Sequence, residues 1–152
     1  MLSRVEGLRG TLFDGQGAVE RARTTMREAG RCTFEAGDFF EWVPAGGDVY
    51  LLSRVLHDWD DEAAARVLAN CRAAAAGDDG RLLVIERLVP DALAVAFDVH
   101  MLVVNGAGRE RTRAEYARLL GEAGFELTDV RGLALGVNML VADARPLTPS
   151  LP

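Results

Sequence analysis

Lysine is absent from this chain: all 17 basic residues are arginine, against 23 acidic ones, for a net charge of −6. That balance excludes a general binder of phosphate backbones, which needs clustered positive charge. The one basic run, Arg109, Arg111 and Arg113, is interrupted by Glu110 and followed by Glu115. Cysteine is scarce as well. Cys32 and Cys71 lie far apart and form no CxxC pair, so a dithiol redox motif is excluded and the chain reads as reduced and intracellular. No apolar run approaches the about 20 residues that span a bilayer. The first residues lack the basic-then-apolar pattern of a signal peptide. A soluble, cytoplasmic protein with no nucleic-acid or membrane partner is therefore expected. What is present, 49% hydrophobic and 26% charged residues over 152 positions, suits one compact domain over residues 1–145, with residues 146–152 as a disordered tail.

The hydrophobic pattern alternates strand and helix. Leu8 to Asp14 reads as a short strand and turn. Val19, Ala22, Met26 and Ala29 then recur at helical spacing, with Gly30 as the stop. Cys32 to Ala36 is a second strand. Asp48 to Ser53 is an almost continuous apolar run, as a doubly covered parallel strand requires. Asp60 or Asp61 caps a helix with Ala64, Val67, Leu68 and Cys71 on its buried face, ended by Gly77. Arg81 to Glu86 is another buried strand, and Leu93 to Val104 reads as an enclosed helix. Thr112 and Glu115 form a capping box for a helix that Gly124 ends. Phe125 to Val130 and Val137 to Ala142 are two strands suited to an antiparallel hairpin at the sheet edge. This order predicts an α/β, doubly wound sheet.

In such sheets ligands bind at the carboxyl ends of the strands. The polar residues there are Asp14, Asp38, Ser53 with His57, and Glu86. A carboxylate at Asp14 can accept both hydrogen bonds of a ribose diol; it can equally be a turn or cap residue. Asp38 with Phe39 can grip an adenine, or be a turn acid beside a core aromatic. His57 follows a strand end and Glu86 ends the neighbouring strand. A carboxylate at one ring nitrogen fixes the tautomer and leaves the other nitrogen as a base. The acids after His57 are better explained by the positive end of the following helix than by a metal, so no metal is expected. Gly106 and Gly108 spell GxG without a preceding strand and are read as a loop.

The segments GLRGTLFD, GDFFEWVPAGGDVYLLSRVLHDWDDE, RLLVIERLVP, DVHMLVVNGAGRERT and AEYARLLGEAGF occur in this order. Together they resemble the plant phenolic O-methyltransferases and their bacterial relatives of aromatic polyketide biosynthesis, over about Gly7 to Ala144. The resemblance implies a partial Rossmann-like methyltransferase sheet, mostly parallel with an antiparallel C-terminal hairpin, and S-adenosyl-L-methionine as cofactor. It implies that Asp14 holds the ribose, although Gly15 and Gln16 stand where the family usually has Leu-Pro. Asp38 and Phe39 would contact adenine, and Ser53 falls where plant members often place a cofactor-binding lysine. His57 would be the general base, Glu86 and Glu110 the acids that orient it, and Met101 and Asn105 part of the pocket for a small aromatic, hydroxyl-bearing acceptor.

The family also has an N-terminal dimerisation domain and a first strand with a glycine-rich loop. No such loop precedes Leu8. Losing two charge-assisted hydrogen bonds there would weaken cofactor binding by about 10²–10⁴-fold. The absent strand would also leave the strands ending at Asp14 and Ser53 with unpaired edges, or force those edges together. Two readings follow: a methyltransferase fragment, or a non-catalytic remnant of the fold that pairs with another methyltransferase subunit. A homodimer, or a complementing subunit that fills the gap, is the expected partner.

Overall fold

The computed structural model describes residues 4–26, 29–75, 77, 79–89 and 108–146. The chain divides into two compact units, Met1–Pro44 and Ala45–Pro152.

In the first unit, β1 (Gly10–Asp14) and β2 (Cys32–Ala36) pair in parallel, with Gly10 opposite Cys32 and Asp14 opposite Ala36. Between them runs α1 (Gln16–Thr25), which buries Val19. The apolar spacing predicted a helix continuing to Ala29, but it stops at Thr25. The Thr24 and Thr25 hydroxyls both donate back to the Arg21 carbonyl, the local competition by which such residues weaken a helix interior. The Gly37 amide extends the ladder by donating to the Asp14 carbonyl at 3.1 Å, and the chain then turns, with the Glu41 and Trp42 amides donating to the Asp38 carbonyl at 2.9 and 3.0 Å. A Cβ at Gly37 would lie 2.6 Å from the Phe13 ring, so only glycine fits this close approach.

The second unit begins with β3 (Val49–Ser53), followed by α2 (Asp61–Ala74) and β4 (Arg81–Val89). Then come β5 (Arg111–Thr112), α3 (Arg113–Glu122), β6 (Phe125–Gly132) and β7 (Val137–Ala144). The strand order is β3-β4-β7-β6, with β5 on the far end of β4. β3 and β4 are parallel, whereas β7 is antiparallel to both of its neighbours. The expected C-terminal hairpin forms, with β7 inside the sheet and β6 at its edge.

The caps lie where the sequence placed them. Asp60 accepts from the Ala63 amide at 2.8 Å, and Thr112 with Glu115 closes a capping box. The face Ala64, Val67, Leu68 and Cys71 of α2 is buried, as are Tyr116, Leu119 and Leu120 of α3, and the two helices pack together. Each such leucine or valine contributes roughly 1.5–3 kcal/mol when fully buried.

Two strands depart from expectation. β3 is not covered on both faces: Val49 is 53% and Leu51 43% exposed. β4 lies on one side of it and, among the described residues, no strand lies on the other. β4 runs three residues past Glu86, because Leu88 and Val89 find parallel partners in Arg111 and Thr112. The enclosed helix expected at 93–104 lies outside the described residues, as does the tail from 147.

Candidate active site

β3 ends at Ser53, and the chain leaves the sheet through Arg54, whose φ of 57° puts a non-glycine residue in the left-handed region. A single 3₁₀ turn, Leu56–Asp58, follows and carries His57, which is buried. Among the residues expected to act on the acceptor hydroxyl, the structure brings together His57, Glu86 and Glu110.

Glu86 is completely buried. One of its carboxylate oxygens, Oε1, accepts from the amides of Val55, Leu56 and His57 at 3.0, 2.9 and 3.4 Å. The other, Oε2, is 3.0 Å from His57 Nδ1. The same carboxylate thus shapes the turn and orients the ring. Glu110 does not take a ring nitrogen. Its Oε1 accepts from Arg54 Nη1 at 3.2 Å, and the same Nη1 donates to Glu86 at 3.1 Å. One guanidinium nitrogen therefore joins both acids. Burial pushes the Glu110 carboxyl above its ordinary range; Arg54 and His57 oppose that rise, and the charge on Glu86 adds to it. The other ring nitrogen, Nε2, lies 3.2 Å from the carboxylate of Asp58, a partly exposed neighbour that the sequence reading left in the acidic run.

Sequence reasoning missed Arg54 and Asp58 as participants. The signal for Arg54 was present: a charged residue directly after an apolar strand, three positions before the histidine. Asp60 and Asp61, read as helix-start acids, have that role, and Asp61 has a second one. Asp61 accepts from Arg109, Arg111 and Arg118. Burial raises its carboxyl, and Arg111 and Arg109 more than offset that, leaving it below the usual range. Among the described residues no three His, Cys, Asp or Glu side chains converge in a way that could hold a metal ion. Cys71 is buried and its thiol is pushed up to about 12 by burial, which makes it inert.

The residues expected to hold a nucleoside fall in two places. In the first unit, Asp14 ends β1 and Asp38 follows the end of β2, so both stand at the carboxyl end of the parallel pair. Asp14 Oδ1 accepts from the Gly15 amide at 2.7 Å and Asp38 Oδ1 from the Phe40 amide at 2.8 Å. Both side chains are exposed. Phe39 packs on Phe40 with ring centres 4.8 Å apart. This donor set suits a ribose diol and an adenine: acceptor oxygens at the rim and an aromatic ring beside them. Ser53 is exposed at the end of β3 in the second unit. Met101 and Asn105 lie outside the described residues.

A sequence profile of the O-methyltransferase domain matches residues 3–126. The chain belongs to that family. It is 48% identical over 144 residues to 3-amino-4-hydroxybenzoate 4-O-methyltransferase of Streptomyces cremeus, covering 90% of this chain and 39% of that protein. Aclacinomycin 10-hydroxylase RdmB of Streptomyces purpurascens is 42% identical over 138 residues, covering 84% and 36%. Among solved structures, the O-methyltransferase NcsB1 of neocarzinostatin biosynthesis, in complex with S-adenosylmethionine and 2-hydroxy-5-methyl naphthoic acid, superposes with a TM-score of 0.83 at 37% identity. That superposition covers 94% of this chain and 43% of NcsB1. The chain thus spans about 40% of the length of the relatives it matches. Among the described residues of this O-methyltransferase-family chain, no helix is long and apolar enough to cross a membrane.

Proposed function

We propose that this chain supplies the general base and part of the nucleoside site of an S-adenosylmethionine-dependent O-methyltransferase acting on a hydroxyl of a small aromatic acceptor. The observation on which this rests is the His57–Glu86 pair at 3.0 Å, buried and held by three backbone amides. When bound, the cofactor supplies an electrophilic methyl group on a sulfonium. A phenol, with a pKa near 10, is a weak nucleophile at neutral pH. His57 with Nδ1–H on Glu86 presents Nε2 as the acceptor of the phenolic proton, a contribution of about 10²–10⁴-fold. Asp58 faces Nε2 in the structure. It is partly exposed, so its carboxylate can turn to solvent as the acceptor hydroxyl arrives. Glu86 then stabilises the imidazolium that forms. Within the first unit, Asp14 would hold the ribose and Asp38 and Phe39 the adenine.

The hydroxylase among the relatives shows that family membership does not fix the reaction. Methyl transfer is therefore the quantity to measure. The chain joined to the remainder of the Streptomyces cremeus enzyme should methylate 3-amino-4-hydroxybenzoate with labelled S-adenosylmethionine. His57→Ala should lower kcat by about 10²–10⁴-fold. Full rate in that variant would remove His57 as the base. A second reading, a non-catalytic module that docks on a methyltransferase partner, is favoured by the edge of β3, which has no strand opposite it among the described residues. It predicts binding to such a partner with no effect of His57→Ala on any rate.

A further inference from the structure

The turn that carries His57 lies outside α-helix and sheet, and its own backbone closes it with only two long hydrogen bonds, from the Asp58 amide to the Val55 carbonyl at 3.3 Å and from the Trp59 amide to the Leu56 carbonyl at 3.4 Å. Its amides converge on Glu86 Oε1. Its carbonyls have a further, shorter anchor. Arg111, 0% exposed, donates from Nη1 to the Leu56 carbonyl at 2.8 Å and from Nη2 to the Trp59 carbonyl at 2.7 Å. These carbonyls belong to the residue before His57 and to the second residue after it. The Nε of the same guanidinium donates to Asp61 Oδ1 at 2.9 Å, which fixes the plane of the fork. Burying a cation is costly unless every donor is matched. The sheet position of Arg111 does not require one, because β5 pairs with β4 through its backbone. A third feature confines the turn. A Cβ on Gly108 would lie 2.6 Å from the His57 carbonyl oxygen and 3.1 Å from Asp58 Cα. The segment from Gly108 to Arg111 therefore presses on the turn and clamps it.

We propose that Arg111 is a positioning residue for His57: its guanidinium grips the carbonyls on either side of the histidine and so keeps the imidazole against Glu86. The anion on the amide side and the cation on the carbonyl side hold the peptide units between them in one orientation. Lysine could not replace this fork, since a single ammonium cannot reach two carbonyls and Asp61 at fixed angles. The catalytic meaning of this hold rests on His57 being the base; the hold itself does not.

The test is amide hydrogen exchange together with imidazole ¹⁵N NMR on the full chain and its Arg111→Lys, Arg111→Met and Gly108→Ala variants. His100, the other of two histidines, serves as internal reference. In the arginine variants, protection of the Val55, Leu56 and His57 amides should fall by about tenfold or more relative to the amides of β4, the effect of one lost charge-assisted hydrogen bond. The Nδ1 signal of His57 should move while that of His100 stays. Gly108→Ala keeps the cation and pushes the turn from another side, so it should give the same local signature; this variant answers the question even if Arg111→Met fails to fold. Two results would overturn the proposal: a fall in protection that is uniform over the turn and β4, as for a purely structural residue, or an unmoved Nδ1 signal in Arg111→Lys. Neither readout depends on methyl transfer. If His57→Ala keeps full rate in the joined enzyme, the base assignment fails while the positioning by Arg111 is still judged on its own.

Discussion

Arg54 concentrates the tension of the site in one residue. Its backbone occupies the left-handed region, at a cost of about 1–2 kcal/mol for a side chain with a Cβ. Strain of this kind persists where surrounding contacts fix it, and here the contacts are Glu86 and Glu110 on a single nitrogen. Two opposed effects can therefore be separated by substitution. Arg54→Gly and Arg54→Ala both remove the charge, but glycine also relieves the backbone, so it should be the more stable of the two by about 1 kcal/mol in urea denaturation. The charge effect is read by pH. Burial already holds the folded Glu110 pKa above its unfolded value, so its contribution is fully present below the unfolded pKa and is lost as pH rises through the folded one. Removing Arg54 raises the folded value further. The stability deficit of Arg54→Leu should therefore be larger at pH 8 than at pH 5, measured by thermal unfolding. An equal deficit at both would mean that Arg54 does not hold Glu110 ionised.

Elements whose signals are local were legible; those that depend on a distant partner were not. The capping box of α3 needs only Thr112 and Glu115, and it formed as the sequence indicated. Its acid is also the clearest source of pH dependence. The Thr112 amide, Arg109 and the Thr112 hydroxyl hold the Glu115 carboxyl down at about 2, against a smaller rise from burial. A depressed carboxylate contributes stability above its unfolded pKa and loses it as pH falls through the folded one. That contribution should fade between about pH 4.5 and 2, and Thr112→Ala should cost about 1 kcal/mol at neutral pH, both checked by thermal unfolding. In Glu115→Gln the acid-side loss should shrink. By contrast, the 54–59 turn has no periodicity to read. Its shape comes from Glu86, 29 residues from His57, and Arg111, 55 residues from Leu56. The length of β4 was under-read for the same reason: the pairing that prolongs it belongs to Arg111 and Thr112. His57 and Glu86 were still findable, because a histidine after one strand and an acid in the next are separated by a single parallel register.

At the scale of the molecule, the sheet has a consequence in solution. β1 and β2 form a two-stranded parallel sheet within the first unit, and β3 has one partner, β4, in the second. Parallel strands are normally flanked and covered on both faces, and a pair of strands is marginal by itself. β3 instead leaves Val49 and Leu51 about half exposed beside a row of backbone groups with no strand opposite among the described residues. Strand periodicity alone could not reveal this, since DVYLLS reads as interior whether or not a neighbour exists. The 152-residue chain should therefore self-associate with rising concentration, through edges that accept another strand. Sedimentation velocity over a concentration series measures this directly. Replacing Leu51 with lysine, the charge that most effectively blunts an edge strand, should shift the distribution towards monomer while leaving the far-ultraviolet circular dichroism unchanged. Leu51→Lys that associates as strongly as the parent would place the sticky surface elsewhere. Addition of the complementary portion of a relative should suppress association of the parent chain if the β3 edge is the surface it covers, and leave Leu51→Lys unaffected or poorly bound.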